Sequence, residues 1–341
     1  MRVAVYYSNQ DIRVEEVERP KIRSGELLIK TEACGICGTD VLEWYRKKRA
    51  PTVLGHEATG EVVEVGAGVE EYKCGDRVFV SHHVPCGVCK YCLSDKETAC
   101  ETLHTTNYYP GGFSEYIRVP KINVERGVFR LPDTISFEEG VFIEPLGCVI
   151  RGQRVAEVKS RDTVLILGSG VAGLLHIQLA HHRGVSKIIA TDVNDLKLNY
   201  AKRFGADLTI NALKDDVEQA LLDFNEGKRA DKVILCTGSS SAYKDALKCV
   251  DRGGTILFFA VPDPAFRAHI PLTDYWRNEV TLTTSYGAAP KDLKEALDMV
   301  SAKTLELKDL ITHRLPLSEI LSGFKLVIEG KALKVVINPN K

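Results

Sequence analysis

The chain has 341 residues, of which 44% are hydrophobic and 27% charged, a composition typical of folded globular proteins. This length exceeds what one hydrophobic core usually accommodates, so two domains are expected. The formal net charge is −1, with acidic and basic residues mixed along the sequence, which argues against a nucleic-acid partner and against binding to a membrane surface. The apolar runs are too short to cross a bilayer and no secretory signal opens the chain, so a cytoplasmic location is expected.

Short strands separated by turns are predicted in the first third of the chain. They are expected at Gly25–Lys30, Gly60–Gly66 and Gly75–Val80, where apolar residues follow or lie between glycines. Short strands joined by glycine and proline turns are typical of an irregular barrel rather than of a parallel sheet.

A different pattern begins near Ser136, where helical spacing over Phe137–Arg154 precedes nearly continuous apolar strands that alternate with helices. The strands are expected at Asp162–Leu167, Lys187–Asp192, Lys232–Gly238 and Gly254–Phe259. The helices are expected after a glycine-rich loop through His182, at Asp195–Phe204 and at Ser241–Val250. This alternation predicts a doubly wound parallel sheet.

The last part of the chain, after Tyr286, returns to a mixed pattern. Helices are expected at Pro290–Ala302 and near Leu317–Glu329, followed by a closing strand at Lys334–Ile337.

Four of the ten cysteines share the spacing Cys86-x2-Cys89-x2-Cys92-x7-Cys100. Thiols in this pattern wrap one tetrahedral zinc ion as a closed shell, which leaves no room for a substrate, so a structural zinc site is predicted. The alternatives are a chance cluster of reduced thiols and a nucleic-acid zinc ribbon. The ribbon is disfavoured because no basic patch surrounds the cysteines.

The sequence Gly168-x-Gly170-x-x-Gly173 follows a predicted strand and opens a predicted helix, and Asp192 ends the next strand. In that context the first glycine allows a tight turn, the second lets the backbone approach a pyrophosphate, and the third allows close packing of helix and strand. Asp192 is suited to a ribose diol and repels a 2′-phosphate, and no Arg or Lys occupies the next four positions, so NAD is favoured over NADP. The alternative is an ordinary glycine turn beside a solvated carboxylate.

A third group of ligand types lies near the N-terminus. Cys37 and His56 are candidate ligands of a catalytic zinc, which needs three protein ligands and one open position. Alternatively, both residues are packed in the hydrophobic core, and Asp40 is a capping residue. Cys34 makes a CxxC pair with Cys37, but a core thiol is the favoured interpretation of Cys34.

The remaining cysteines have apolar neighbours and are predicted to be buried thiols: Cys74, Cys148, Cys236 and Cys249. Four histidines occur as pairs near predicted loops and are expected at the surface: His82, His83, His181 and His182.

Taken in order, these motifs resemble the zinc-containing medium-chain alcohol dehydrogenases over essentially the whole chain. The resemblance rests on the four-cysteine group, the glycine loop and the segments Gly35–Asp40, Gly55-His56-Glu57, Gly112–Tyr116 and Glu144-Pro145-Leu146. The glutamate at 144 favours the sorbitol (polyol) and threonine dehydrogenase branch, because animal-type alcohol dehydrogenases place a cysteine ligand there.

The resemblance implies a GroES-like irregular β-barrel that carries the catalytic zinc, together with a Rossmann doubly wound parallel sheet that binds NAD. The first part of the catalytic domain is expected at residues 1–146, the NAD-binding domain at 147–286, and the rest of the catalytic domain at 287–341. One catalytic and one structural zinc ion per chain are expected, and so is a homotetramer.

The resemblance also implies the roles of residues around the catalytic zinc. Cys37 and His56 bind the metal, Glu57 approaches it or holds its water, and Glu144 completes its ligands directly or through water. Thr39 passes on the substrate proton. Asp40 orients the zinc histidine, as metal-bound histidines generally require.

In the nucleotide site, Val171 belongs to the glycine loop and Lys197 is similar to a second ribose contact beside Asp192. Three further residues are candidates for the substrate pocket: Glu43, Phe113 and Tyr286.

Two positions depart from the family pattern. Many relatives carry a histidine three residues after the hydroxyl residue, where this chain has Leu42, so a proton relay must leave by ribose hydroxyls and water. Sorbitol-type enzymes carry an Arg-Tyr pair where this chain has Ser285-Tyr286, which argues against sorbitol itself but not against another polyhydroxylated substrate.

The expected activity is therefore reversible, zinc-dependent hydride transfer between NAD and a secondary alcohol of a polyol or sugar-like substrate. Alternatives within the family are an L-threonine 3-dehydrogenase-like and a sugar-phosphate or galactitol-phosphate-type dehydrogenase. Alternatives outside it are a regulatory zinc- and nucleotide-binding relative and a metal-free quinone reductase. Cys37, His56 and Thr39 together argue against the last two.

Overall fold

The structure is a computed structural model that describes all 341 residues. It divides into two compact units, one made of Met1–Gly147 with Ala288–Lys341 and the other of Cys148–Gly287. The boundaries predicted from the sequence lie one residue before each of these divisions, and the roles assigned to the units stay predictions. None of the helices combines the length and apolar character needed to cross a membrane.

The N-terminal part of the first unit contains eight strands: β1 Arg2–Ser8, β2 Asp11–Glu16, β3 Leu27–Gly35, β4 Thr52–Val53, β5 Glu57–Val65, β6 Arg77–Ser81, β7 Tyr116–Val119 and β8 Val128–Arg130. Its helices are short: α1 Glu43–Arg46, α2 Glu101–Thr105, α3 Lys121–Gly127 and α4 Phe137–Gly140. The three strands predicted here are confirmed. β3 is longer than expected because it continues to Gly35, with two irregularities in its register to β5.

Helical spacing over Phe137–Arg154 predicts one helix, but the structure has α4 and then α5 at Ile143–Val155. A capping box on Ser136 and Glu139 starts α4, and two residues separate it from α5. The boundary between the two units falls within α5.

The second unit alternates strands and helices as predicted. Its strands are β9 Thr163–Leu167, β10 Lys187–Asp192, β11 Leu208–Asn211, β12 Ala230–Leu235, β13 Val250–Phe258 and β14 Thr281–Thr284. Its helices are α6 Val171–His182, α7 Asp195–Arg203, α8 Val217–Phe224, α9 Ser240–Cys249 and α10 Leu272–Arg277. The sequence did not predict β11, α8, α10 or β14. β11 and β14 are only four residues long, and polar residues interrupt both strands.

The six strands form one parallel sheet in the order β11-β10-β9-β12-β13-β14. Every residue of the central strand β9 is buried, which is typical of a sheet covered on both faces. The surrounding core includes Leu165, Ile189, Val233 and Ile256. These features confirm the predicted doubly wound sheet.

The chain then returns to the first unit with α11 Pro290–Ser301, β15 Ile311–Pro316, α12 Ile320–Ile328 and β16 Lys334–Asn338. β16 joins a sheet of order β15-β16-β3-β5-β6-β8, in which β7 also pairs with β3, while β2, β1 and β4 form a smaller sheet. All pairs except β15–β16 are antiparallel. The C-terminal strand thereby lies beside β3, the strand that leads into the first ligand group.

Candidate active site and zinc centres

The antiparallel pairing of β3 and β5 brings the N-terminal ligand group together. Gly35 at the end of β3 lies opposite Glu57 at the start of β5. Cys37 follows the end of one strand and His56 precedes the start of the other, so both side chains lie at the same end of the pair. One ligand atom each of Cys37, His56 and Glu57 lies within 4.8 Å of the others. A thiol, an imidazole and a carboxylate are the donor types that catalytic zinc uses, so these residues fit the metal.

Cys34 is not a member of that group. It is fully buried in the core of the first unit, and burial raises the pKa of its thiol well above the ordinary value. The structure therefore favours the core-thiol interpretation.

Asp40 is fully buried directly behind His56. Its Oδ1 lies 3.3 Å from Nδ1 of His56, and its Oδ2 accepts a hydrogen bond of 3.0 Å from the backbone N–H of Cys37. Burial opposes ionisation of Asp40, but attraction to His56, the hydrogen bond with His56 and attraction to Arg46 lower its pKa. Burial likewise lowers the pKa of His56, but Asp40 and Cys37 outweigh it and the pKa is raised well above its ordinary value. This is the carboxylate–imidazole pair that orients metal-binding histidines.

Thr39 places its hydroxyl beside the candidate zinc thiol. Oγ1 donates a hydrogen bond of 3.3 Å to Sγ of Cys37, and the backbone N–H of Thr39 lies 3.4 Å from the same sulfur. A proton-transferring hydroxyl is expected in such a place, next to the metal ligands.

Glu57 is fully buried, and both of its carboxylate oxygens accept hydrogen bonds from Nζ of Lys334, at 2.8 and 2.7 Å. Lys334 is 2% exposed and also donates to the carbonyl of Ile36 at 3.3 Å. Burial would lower the pKa of Lys334, but attraction to Glu57 and Cys37 raises it. Gly35 is required here, since a Cβ at this position would collide with the Glu57 carboxylate. Sequence reasoning missed Lys334.

Glu144 is the second residue of α5 and is 8% exposed. It does not belong to the group of ligand atoms formed by Cys37, His56 and Glu57. Its charge nevertheless contributes to the raised pKa of Lys334, although less than Glu57 does. Its role as a further ligand stays a prediction.

The histidines after β6 are not at the surface, contrary to expectation. The rings of His56 and His82 lie 5.0 Å apart, and those of His82 and His83 lie 3.8 Å apart. Burial, followed by repulsion from His83 and His56, lowers the pKa of His82 well below its ordinary value. Cys74 also differs from expectation, because its side chain is exposed.

The three pocket candidates have different environments. Glu43 begins α1 and is half-buried. Phe113 is 1% exposed and packs edge-on against Phe324, so the structure favours a packing role over a pocket wall. Tyr286 belongs to the second unit and is 44% exposed.

The structure brings all four cysteines of the predicted structural zinc site together. The sulfurs of Cys86, Cys89, Cys92 and Cys100 lie within 4.8 Å of one another. Sγ of Cys89 lies 3.5 Å from that of Cys92, so these sulfurs are close enough to bind one ion together. Backbone N–H groups point at the sulfurs. Burial opposes ionisation of Cys100, but hydrogen bonds from the N–H groups of Cys86 and Leu103 help lower its pKa to about 6. Burial, followed by hydrogen bonding to Cys89, raises the pKa of Cys92 to about 12, so the four thiols do not ionise equally. Four sulfurs this close together, with N–H groups directed at them, fit a closed zinc site.

The glycine loop lies between β9 and α6, as predicted. Gly168 has a φ of +95°, which other residues rarely adopt, and a Cβ on Gly173 would collide with the carbonyl of Gly168. Gly170 caps α6, whose first residue is Val171, and a Cβ on Gly170 would enter open space. The open backbone at this helix N-terminus fits a pyrophosphate.

Asp192 ends β10, next to β9 in the sheet. Its Oδ2 accepts a hydrogen bond of 2.8 Å from the N–H of Ser169, and its Oδ1 accepts from the N–H groups of Val193 and Asn194 at 2.8 and 3.0 Å. The carboxylate thus supports the glycine loop itself, a function the sequence did not predict. Lys197 lies on α7 and is half-buried. Ribose binding by Asp192 and Lys197 stays a prediction.

Two family sequence models match the chain: the alcohol dehydrogenase GroES-like domain over residues 23–133 and the zinc-binding dehydrogenase domain over residues 172–302. An alcohol dehydrogenase of Geobacillus stearothermophilus is 34% identical, over 94% of this chain and 94% of the relative. Sorbitol dehydrogenase of Mus musculus is 31% identical, over 98% of this chain and 96% of the relative.

The structure is similar to that of a chain assigned to the zinc-binding dehydrogenases, from Sinorhizobium meliloti 1021 and bound to NADP, with 29% identity and a TM-score of 0.90 over 99% of both chains. These comparisons confirm the resemblance and the fold class predicted from the sequence. They also confirm an oxidoreductase that uses zinc and a nicotinamide nucleotide. The chain belongs to the zinc-binding dehydrogenases, the family of alcohol dehydrogenases with a GroES-like domain.

Proposed function

We propose that this chain is an NAD-dependent zinc dehydrogenase that oxidises a secondary alcohol of a polyol or sugar-like substrate to the ketone, reversibly. The observation that carries the proposal is the group of Cys37, His56 and Glu57, with the Thr39 hydroxyl 3.3 Å from the cysteine sulfur. A closed structural site needs no hydroxyl beside its ligands, whereas alcohol oxidation needs one to move a proton.

The chain's own residues perform three tasks in this proposal. Cys37, His56 and Glu57 hold the metal, and Asp40 keeps the imidazole in the orientation that binds it. The Thr39 hydroxyl takes the proton from the alcohol oxygen and passes it on. When bound, zinc supplies a Lewis acid for that oxygen and NAD supplies the hydride acceptor. Glu144, a buried carboxylate at the start of α5, is proposed as the further ligand, direct or through water.

The preference for NAD over NADP rests on Asp192. Its carboxylate stands at the end of β10 and no basic residue follows within four positions to neutralise a 2′-phosphate. Because a relative of this fold binds NADP, the choice depends on the side chains at this point rather than on the fold.

A substrate panel tests the activity. Purified enzyme with NAD is expected to form NADH, followed by absorbance, with one or more polyols or sugar alcohols, and to lose that activity after treatment with a chelator. Oxidation of threonine or of a sugar phosphate alone would replace the polyol proposal by one of the alternatives within the family. Activity that a chelator leaves unchanged would contradict the metal's role.

We also propose that the protein is a cytoplasmic homotetramer. β14 lies at an edge of the parallel sheet, where its outer backbone groups have no partner strand. The preceding helix α10 exposes two large apolar side chains, with Leu272 71% and Trp276 79% exposed. Light scattering should give four times the chain mass, and Trp276→Glu should reduce that mass. A monomeric wild-type protein would contradict the proposal.

A further inference from the structure

Arg46 reaches the hydroxyl that the proposed function uses. It is the last residue of α1, its side chain is 13% exposed, and its guanidinium lies 4.8 Å over the ring of Tyr45. Nη2 donates a hydrogen bond of 3.0 Å to Oγ1 of Thr39, and Nε donates one of 3.0 Å to the Thr39 carbonyl. Nη2 also lies 3.2 Å from Oδ1 of Asp40. A single guanidinium therefore contacts both Thr39, which lies beside the Cys37 sulfur, and Asp40, which lies beside His56.

The direction of the bond to Thr39 is fixed by chemistry. A guanidinium has five N–H donors and no acceptor, and it stays protonated in proteins. Oγ1 of Thr39 must therefore be the acceptor, and its own hydrogen has to point elsewhere. In the structure it points to Sγ of Cys37, towards the ligand group.

The same bond changes what the hydroxyl does best. An oxygen that accepts a charge-assisted hydrogen bond becomes a stronger donor, because hydrogen bonds in a chain polarise one another. Leu42 stands where many relatives carry a relay histidine, and its side chain has no hydrogen-bonding group. The charged partner of Thr39 in this chain is instead Arg46, four residues after Leu42.

We infer that Arg46 is a positioning residue that fixes the Thr39 hydroxyl towards the reacting oxygen of the substrate. Thr39 gives its own hydrogen on to the ribose hydroxyls and water, takes the proton of the alcohol, and then donates that proton as a hydrogen bond to the substrate oxygen. The inference rests on the proposed function of Thr39. Arg46 is not a route for the proton, because it has no site to accept one. It acts by orienting and polarising the hydroxyl, so negative charge that develops on the substrate oxygen is stabilised.

A double-mutant cycle separates this role from simple packing. Arg46→Met is expected to lower kcat/KM by about 10- to 100-fold, the effect of losing a hydrogen bond from a charged donor. Thr39→Val removes the hydroxyl on which Arg46 acts. Adding Arg46→Met to Thr39→Val should therefore lower kcat/KM by no more than about twofold. Guanidinium ion added to Arg46→Ala should restore part of the activity.

The metal site needs a readout that does not depend on turnover. Zinc content, and the ligand-field absorption of the cobalt-substituted protein, should be the same for Arg46→Met as for the wild type. Arg13→Met is the matched control: Arg13 also bonds a carboxylate, that of Asp11 at 2.8 Å, and also lies over a tyrosine ring, that of Tyr7 at 4.5 Å, but its side chain is 60% exposed. It should leave kcat/KM unchanged.

Three results would overturn the inference. Arg46→Met could match the wild type, its effect could be the same with and without the Thr39 hydroxyl, or it could lose metal and change the cobalt spectrum. The last two would give Arg46 a structural role through Asp40. If Thr39→Val itself had wild-type kcat/KM, the proposed function of Thr39 would fail, and the inference with it.

Discussion

Nζ of Lys334 lies 2.7 and 2.8 Å from the two carboxylate oxygens of Glu57, and both side chains are almost completely buried. The pair joins the last strand of the chain to the first residue of β5, 277 positions earlier. A buried charge is tolerated only when it is paired and hydrogen-bonded, so each residue depends on the other. The C-terminal strand thus holds a candidate metal ligand in place.

Lys334→Met is expected to destabilise the protein by about 3–5 kcal/mol, because it leaves the Glu57 carboxylate buried and unpaired. Thermal and denaturant unfolding measure this effect. Zinc content measured in parallel shows whether the metal partly replaces the lost ammonium. Lys334→Arg keeps the charge and should cost much less.

The double variant Glu57→Gln with Lys334→Met is the control for that prediction. It removes both charges, so its stability should exceed that of Lys334→Met alone. A single Lys334→Met variant as stable as the wild type would mean that the ion pair contributes nothing.

Cys37→Ser and Cys86→Ser distinguish the two candidate zinc centres. Cys37→Ser should abolish activity and lose one zinc equivalent while the unfolding temperature stays close to that of the wild type. Cys86→Ser should lower the unfolding temperature first, because a closed thiolate site contributes directly to folding. Metal analysis, activity and thermal unfolding of the same preparations test both. The opposite order of effects would exchange the two assignments.

Much of this arrangement could be predicted from local sequence. The strand–glycine loop–helix unit, the four-cysteine spacing and the ligand types at Cys37 and His56 each lie within a short segment whose residue types restrict the chemistry. β9 and β10 were also predictable, because strands buried on both faces are continuously apolar.

The partners that complete the site were not predictable in the same way. Lys334 opens the predicted strand at Lys334–Ile337, and nothing local indicates that its side chain turns inward to Glu57. His82 follows β6 as one of a polar pair, and only the pairing of β5 with β6 brings it beside His56. Arg46 is separated from Thr39 by only seven positions, but its direction depends on the one-turn helix α1, which has no buried residue and no apolar pattern.

Asp192→Asn is expected to weaken the preference for NAD over NADP by about tenfold, or about 1.4 kcal/mol, because the charge that repels a 2′-phosphate is removed. Asparagine keeps an oxygen for the N–H of Ser169, so the glycine loop retains support. The ratio of kcat/KM for the two nucleotides and the binding of NADH and NADPH test this. Asp195→Asn, on the first turn of α7, should leave the ratio unchanged. An unaltered ratio in Asp192→Asn would contradict the assignment of Asp192.

His176 should make the second unit sensitive to acid. It lies fully buried on α6 with its ring edge-on to Phe259 at 4.6 Å, and its Nε2 has no hydrogen-bond partner. Burial, followed by repulsion from Arg183, lowers its pKa from the ordinary 6.5 to about 3. Between those two values the unfolded chain binds a proton at this position and the folded chain does not. The free energy of unfolding therefore falls as the pH falls, by at most about 1.4 kcal/mol per pH unit from this group.

His176→Leu should flatten that dependence, because the variant has no group to protonate there. Denaturant unfolding followed at a series of pH values from about 7 to 4 gives the slope for each protein. His182→Leu is the control, since His182 lies at the end of the same helix but its side chain is exposed. Other acid-sensitive contacts contribute equally to wild type and variant, so only the difference in slope matters. Equal slopes for the wild type and His176→Leu would show that the folded protein accommodates a protonated His176, against the burial that the structure gives it.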